Sequence, residues 1–231
     1  MARNISVWIK ALSDVKNTLI EHNANYFLDT GTLLGAIRNK QFIPWDNDID
    51  LGVVGGNISD IIAISKSLYK KGYNVTATKT NICVFKSNEY LDLGIKFYET
   101  EESRFIAHLG KVNGSSFFSS LDLYLSDQFI LKKGYGRFKL IGLVAQLINN
   151  CRFVLPTKLI RNRIAPKIKY TEVVVSISYQ LLSSFEQYMF YNEYYNIPQN
   201  VNEYLVLRYG EDWKIPNDAY DYTKDDKSAI R

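Results

Sequence analysis

A glycine-rich turn followed closely by alternating acidic residues is the feature that most constrains this chain. The turn occupies residues 31–38, and the acids stand at Asp46, Asp48 and Asp50. Because successive side chains of a strand point to opposite faces, the three aspartates are expected on one face of a strand. The Cα atoms of Asp48 and Asp50 would then lie about 6.6 Å apart. This spacing predicts that the two carboxylates converge on one divalent cation, Mg²⁺ or Mn²⁺.

The turn before these acids suits the binding of a phosphate. Mg²⁺ is usually held by one or two carboxylates together with substrate phosphates. Gly31 and Thr32 could bring backbone N–H groups and a hydroxyl against a phosphate, because glycine allows close approach of the main chain. Arg38 could hold phosphate oxygens in bidentate fashion, or it could be a solvated charge at a helix end. The pattern indicates phosphoryl or nucleotidyl transfer; the alternative, a solvated acidic strand, would not need the glycine turn.

Two aspartates compete as a third carboxylate of this site. Asp92 and Asp122 both lie within apolar runs, where an unpaired acid costs several kcal/mol to bury. Asp92 is favoured, since its strand follows a helix and a hairpin directly and could lie beside the strand of Asp48 and Asp50. Its role would be to complete the metal shell or to accept the proton of an acceptor hydroxyl. Asp29, just before the turn, is predicted to cap it.

Three stretches of the chain resemble one protein family. Residues 27–38 and 42–52 are similar to the signature of the LicD family of phosphotransferases, which includes the fukutin-related proteins. Residues 197–216 resemble the closing motif of that family, which ends in Tyr-Gly-x-x-Trp-x-x-Pro. Asn47 stands where the family often has Asp, and it would face away from the expected ligands in a strand.

The resemblance implies a nucleotidyltransferase-type fold and a specific activity. The expected reaction moves a phospho-alcohol, such as phosphocholine or a pentitol phosphate, from a CDP-linked donor to a glycan or lipid-linked glycan acceptor in cell-surface polysaccharide biosynthesis. Two alternatives remain open. One is a nucleotidyltransferase acting on a small molecule or a protein hydroxyl, and the other is a catalytically silent glycan- or membrane-binding protein of the same fold.

Hydrophobic periodicity predicts a mixed α/β (α+β) fold with flanking helices. Helices are expected over residues 8–19, 33–38 and 58–71, and strands over residues 26–29, 73–78, 82–87 and 90–98. Residues 1–127 would form the nucleotidyltransferase-like core with a mixed sheet. Residues 128–231 would form a basic, helical C-terminal lobe that carries the closing motif and packs on the core as one unit.

Positive charge is concentrated in one part of the chain. Residues 128–171 contain ten Lys or Arg and no Asp or Glu, although the formal net charge is only +4. The apolar run at 140–148 is too short to cross a bilayer, which takes about 20 residues. Residues 132–169 therefore suit an anionic membrane surface, or they belong to a lobe that packs this run into the core. We find no nucleic-acid-binding motif and expect no such partner.

The cysteines and the start of the chain bear on the cellular compartment. Cys83 and Cys151 are far apart in the sequence and suggest no disulfide framework, as in a reducing compartment. The first residues show no apolar segment of the secretory type. We expect a cytoplasmic protein, peripheral at the membrane where its basic segment contacts lipid.

Overall fold

A computed structural model describes residues 4–86, 91–113, 131–133 and 169–230. The strands are β1 Asn25–Leu28, β2 Ile49–Val54, β3 Asn74–Ala77, β4 Asn81–Lys86, β5 Leu91–Glu101, β6 Arg104–Asn113, β7 Leu131–Lys133, β8 Lys169–Ser178, β9 Phe185–Phe190, β10 Glu193–Pro198 and β11 Ala229–Ile230. The helices are α1 Ile5–Glu21, α2 Thr30–Leu34, α3 Ile58–Lys70, α4 Tyr179–Leu182, α5 Val201–Tyr209 and α6 Tyr222–Asp225, and a π-helical turn, Gly35–Asn39, continues α2.

One mixed sheet of nine described strands organises the molecule. Its order is β11-β8-β6-β5-β4-β3-β7, and β2 joins β5 and carries β1 on its other edge. Only β2 and β5 run parallel; the other pairs of described strands are antiparallel. The hairpin β9–β10 is separate. The expected mixed α/β fold with a mixed sheet and flanking helices is confirmed.

Local sequence explains the elements that surround the site. Trp8, Leu12, Val15 and Leu19 recur at helical spacing, and all four are buried against the sheet by α1. In α3, a capping box between Asn57 and Asp60 satisfies N–H groups at the start of the helix. In β5, alternate residues from Leu91 to Phe97 are buried, which leaves the intervening side chains on the opposite face.

The acidic segment differs from its prediction. β2 begins at Ile49, so Asp46 and Asp48 precede the strand and do not share a strand face with Asp50. The reason is a turn over residues 43–46, in which the Asp46 N–H donates to the Ile43 carbonyl at 3.1 Å. Pro44 at the second position of this turn favours the bend, and the extended chain starts only at Ile49, whose partner in β5 is Leu93.

The C-terminal part also differs from its prediction. Residues 169–178, 185–190 and 193–198 are strands, where a helical lobe was expected, and β8 pairs with β6 along ten residues. The valines at 173–175 are β-branched and favour an extended chain. The segment 132–169 lies almost wholly outside the described residues, as do Asp122 and the apolar run at 140–148, so its helical character and its membrane contact stay predictions. Within the described ranges, no helix is long and apolar enough to span a bilayer.

Candidate active site

The parallel pairing of β2 and β5 brings the predicted carboxylates together. Asp50 lies opposite Gly94, and the residues before this pair, Ile49 and Leu93, are also opposite each other. Asp48 and Asp92 therefore come to the same level at the start of the two strands. The carboxylates also influence one another electrostatically: the charge of Asp92 acts on Asp48, and the charge of Asp48 acts on Asp50. Asp48, Asp50 and Asp92 thus form one acidic cluster, to which Asp46 adds a fourth carboxylate.

Asp48 has a strongly shifted pKa. The surrounding protein atoms, the charge and hydrogen bond of Asp46, and the charge of Asp92 raise the pKa of Asp48 to about 7, and Lys96 acts against them. Both Asp48 and Asp92 remain at the open surface. In the described part of the chain, no three or more His, Cys, Asp and Glu side chains are arranged as a ready set of metal ligands. A cation here would depend on two carboxylates and on oxygens brought by a substrate.

Asp50 is held more firmly than Asp48. Its Oδ1 lies 3.1 Å from Lys96 Nζ, and its Oδ2 accepts a hydrogen bond from the Thr30 hydroxyl. Burial raises the pKa of Asp50, although the charge of Lys96 opposes this. A Cβ atom added to Gly94 would lie 3.1 Å from Asp50 Oδ1. Gly94 therefore leaves the space that this carboxylate occupies on the sheet.

The glycine turn lies against the same acidic cluster. A Cβ atom added to Gly31 would lie 2.1 Å from Asp46 Oδ2, so a larger residue would force this carboxylate out of its place in the cluster. Thr30 has φ of 40°, a left-handed conformation that is unfavourable for a β-branched residue. Such outliers cost about 1–3 kcal/mol and cluster at functional sites. Here the Asp29 carboxylate fixes Thr30 by accepting its N–H at 2.7 Å.

Thr32 does not have the role that the sequence suggested for its hydroxyl. The side chain is only 2% exposed, and its Oγ1 accepts the N–H of Asp50 at 2.8 Å. The hydroxyl is therefore committed to joining the turn to β2 and is not presented to a phosphate. The hydroxyl at the acidic cluster belongs to Thr30. Gly31 and the backbone of the turn keep the predicted position beside the acids.

Asp29 is the buried anchor of the site. As predicted, it caps the turn, and it also accepts hydrogen bonds from the hydroxyls of Tyr98 at 2.8 Å and Tyr204 at 2.6 Å. Burial alone would raise its pKa, but the charges of Lys96 and Arg208 and the two tyrosine hydroxyls hold the pKa of Asp29 below its usual value. Asp29 is thus an ionised carboxylate inside the protein, and it fixes the residues that follow it.

A cavity of about 630 Å³ opens beside Gly31 and Asp46. Its aromatic walls come from Trp45, Tyr209, Trp213 and Tyr220. Arg38 also lines it and donates from Nη1 to the Trp213 carbonyl at 3.4 Å. Its Nη2 is buried and has no hydrogen-bond partner within the described residues, and burial lowers the pKa of Arg38. An acceptor atom on a ligand would satisfy this guanidinium.

Sequence reasoning missed four residues that support the acids, of which the last three are buried and the first is half-buried: Lys96, Tyr98, Tyr204 and Arg208. One signal was present for two of them, because Lys96 and Tyr98 continue the alternation that starts at Asp92 in β5. Tyr204 and Arg208 are four residues apart on α5 and so share a helix face. Their partner, Asp29, is 175 residues or more away in the sequence, and no local pattern indicates that contact.

Comparison with known proteins gives a family match for about half of the chain. Residues 23–135 match the LicD/FKTN/FKRP nucleotidyltransferase domain. An uncharacterised protein of Rickettsia typhi is 30% identical over 57% of this chain and 42% of its own length. The lipopolysaccharide cholinephosphotransferase LicD of Haemophilus influenzae is 60% identical over 13% of this chain and 11% of its own length. This chain therefore spans less than half the length of either relative.

The solved structures include ANT(2″)-Ia in complex with adenylyl-2″-tobramycin. It has a TM-score of 0.34 and 14% identity, and the match covers 43% of this chain and 54% of that chain. The family resemblance expected from the motifs is confirmed over residues 23–135. The closing motif at 197–216 lies outside that match.

Proposed function

We propose that the protein, whose residues 23–135 match the LicD/FKTN/FKRP nucleotidyltransferase domain, transfers a phospho-alcohol from a CDP-linked donor to a glycan acceptor with the aid of a divalent cation. The transferred group would be of the phosphocholine or pentitol-phosphate kind. Family membership supports a phosphotransferase-type role in glycan modification. The observation that supports the proposal is the parallel register of β2 and β5, along which the charge of Asp92 acts on Asp48 and the charge of Asp48 acts on Asp50.

The acidic cluster fits Mg²⁺ or Mn²⁺. Carboxylate oxygens are hard ligands that these ions prefer. Burial and then the negative charges of Asp46 and Asp92 raise the pKa of Asp48 to about 7, with Lys96 acting against them, so a cation there would favour the ionised carboxylate. Asp48 and Asp50 would hold the ion, with substrate phosphate oxygens as further ligands. A bound ion would offset phosphate charge and stabilise the charge that develops during transfer.

The remaining residues have distinct tasks in this proposal. Gly31 lets the donor phosphates approach the backbone, since any larger residue would collide with Asp46. Arg38 lines the aromatic cavity, and its guanidinium donates hydrogen bonds to the CDP-linked substrate. Asp92 is exposed at the edge of the cluster, where it can accept the proton of the acceptor hydroxyl. The cavity leaves room for the part of the donor that lies beyond the phosphates.

A donor-turnover assay tests this function. The protein is incubated with CDP-choline, CDP-ribitol or each of the four NTPs, with Mg²⁺ or with EDTA, and with candidate glycan acceptors. We expect turnover of a CDP-alcohol that EDTA abolishes. Asp48→Asn and Asp50→Asn should abolish it as well, whereas Glu203→Gln, at an exposed position of α5, should leave it intact.

Any other result of this assay would contradict the proposal, and each such result points to a different explanation. Turnover of an NTP alone would indicate nucleotidyl transfer to another hydroxyl. Full turnover by Asp48→Asn would remove the proposed site from the chemistry. A folded protein with no turnover and no metal binding would indicate a catalytically silent member of the family.

A further inference from the structure

Lys96 already places a positive charge in the acidic cluster. Its Nζ lies 3.1 Å from Asp50 Oδ1, 3.1 Å from Thr30 Oγ1 and 3.7 Å from Asp29 Oδ2. An ammonium group has three N–H donors, so these three oxygens surround it. The Lys96 side chain is only 13% exposed. It is therefore a fixed part of the site and not a mobile surface charge.

The strand register sets where this charge lies relative to the other acids. Asp50 is opposite Gly94, Lys96 follows Gly94 by two residues, and Asp92 precedes it by two. Lys96 and Asp92 therefore lie on opposite sides of Asp50, each displaced along β5 by about 6.6 Å. Asp48 precedes β2 and so lies on the Asp92 side. A divalent cation can approach Asp50 from that side, whereas the ammonium occupies the other.

We propose that Lys96 is a positioning residue that acts as a fixed cation on the Asp29 side of Asp50, so that the site takes a single divalent cation, held between Asp50 and Asp48. The inference rests on the metal-dependent function proposed above. In many phosphoryl-transfer sites two metal ions share the charge of the reacting groups. Here the ammonium occupies the position that a second ion would need, and it directs Asp50 Oδ1 over Gly94.

A structural role alone does not explain this arrangement. Removing two charges from water is costly, and a buried ion pair often adds little net stability over apolar residues. Lys96 is also not needed to join the turn to β2, because the Asp50 N–H already donates to Thr32 Oγ1 at 2.8 Å. Its charge also stabilises the buried Asp29 at 3.7 Å, but its nearest carboxylate is that of Asp50, whose Oδ1 lies 3.1 Å from Nζ.

Titration with Mn²⁺, followed by the electron paramagnetic resonance of the free ion, tests the proposal without any turnover. The wild-type chain should bind a single Mn²⁺ ion. Lys96→Met should raise the dissociation constant at least about tenfold, as expected when a residue that orients a metal ligand is lost. Coulomb's law alone predicts the opposite, since loss of a nearby positive charge favours a cation. Lys66→Met makes the same charge change at an exposed position of α3 and should leave binding unchanged.

The possible results separate this inference from the proposed function. Two Mn²⁺ ions per wild-type chain would overturn the role of Lys96, as would unchanged or tighter binding by a folded Lys96→Met. No binding by the wild type would instead contradict the metal-dependent function itself. Circular dichroism and thermal unfolding show whether Lys96→Met folds. If Lys96→Met does not fold, the number of Mn²⁺ ions bound per wild-type chain still tests the proposal. Lys96→Arg, which keeps the charge, should bind one ion.

Discussion

Gly31 and Gly35 lie four residues apart, yet a methyl group at each would meet a different obstacle. At Gly31 it would lie 2.1 Å from the end of the Asp46 side chain, which can rotate away. At Gly35 it would lie 2.7 Å from the backbone oxygen of Gln41, which cannot move without shifting the chain. The first collision therefore disturbs the acidic cluster, and the second disturbs the fold.

We expect Gly31→Ala to lose donor turnover with little change in melting temperature. Gly35→Ala should cost about 1–3 kcal/mol of stability, the range for overpacked sites, and lower the melting temperature by several degrees. Thermal unfolding and the turnover assay, applied to both variants, check this. Full activity of Gly31→Ala would show that the position of Asp46 is unimportant.

The pKa of Asp48 predicts how stability depends on pH in the absence of metal. The folded pKa is about 7 and the ordinary value is 3.8, so between these values the folded chain holds a proton that the unfolded chain has released. The raised pKa of Asp48 therefore adds to the free energy of unfolding in full below the ordinary pKa, and this contribution is lost as pH rises towards 7. Asp48→Asn should not show this loss.

Denaturant unfolding in EDTA at pH 5 and at pH 8 measures that difference. The free energy of unfolding of Asp48→Asn, relative to the wild type, should be higher at pH 8 than at pH 5. Mg²⁺ should raise the melting temperature of the wild type more at pH 8 than at pH 5, because protons compete for the same oxygens. Parallel pH profiles for the two proteins would show that Asp48 ionises normally.

At the scale of single elements, α5 attaches the C-terminal part of the chain to the glycine turn. Arg208 is 1% exposed and contacts two buried carboxylates: its Nη1 lies 3.5 Å from Asp29 Oδ1, and its Nη2 lies 2.8 Å from Asp226 Oδ2. Tyr204, one turn earlier, donates to the same Asp29 oxygen. One face of this helix therefore neutralises charge that would otherwise be buried without compensation.

Arg208→Met should lower the free energy of unfolding by about 3–5 kcal/mol, because removing one partner leaves buried charges uncompensated. Glu203→Met lies on the same helix at an exposed position and should change stability by less than about 0.5 kcal/mol. Urea unfolding of both variants provides the comparison. A small effect of Arg208→Met would mean that other groups compensate these carboxylates without Arg208, as Lys96 does in part for Asp29.

The elements differ in how well their sequences predicted them. The strongly periodic segments, α1, α3 and β3 to β5, were predicted because each is defined by its own local pattern. The start of β2 was not, since a turn at Pro44 interrupts the alternation of the acids. β8 was missed because the concentrated basic charge before it suggested a helical lobe, whereas its valine run pairs with β6. Strand pairing is a long-range property that local charge does not reveal.

At the scale of the whole molecule, the sequence could predict only those site residues that belong to one local motif or to strands expected to lie side by side. Asp48 and Asp50 were proposed from strand spacing and Asp92 from the order of strands; the register of β2 and β5 puts Asp92 level with Asp48, and the joint role of the three stays a prediction. Lys96 and Arg208 could not be identified in the same way, since their roles depend on contacts with Asp29 that only the folded chain creates. The segments 27–38 and 197–216 are far apart in sequence but meet at that carboxylate.

A continuous set of polar contacts extends from the glycine turn to the segment before β11. Asp29 contacts Arg208, Arg208 contacts Asp226, and Asp226 Oδ1 accepts the N–H and the hydroxyl of Ser228 at 2.9 and 2.6 Å. Asp226 is 1% exposed. The position of Thr30 in the site therefore depends on a residue almost 200 positions later in the chain.

We expect Asp226→Asn to loosen both ends of this set of contacts. The substitution keeps the size of the side chain but removes the charge that pairs with Arg208, so hydrogen exchange should accelerate in residues 226–230 and also in residues 28–34. Mass spectrometry of peptide fragments can measure the two regions separately. Asp225→Asn changes the neighbouring, exposed carboxylate and should leave residues 28–34 unaffected. Acceleration confined to residues 226–230 would show that Arg208 keeps Asp29 and Thr30 in place without Asp226, and that the C-terminal segment stabilises itself but not the site.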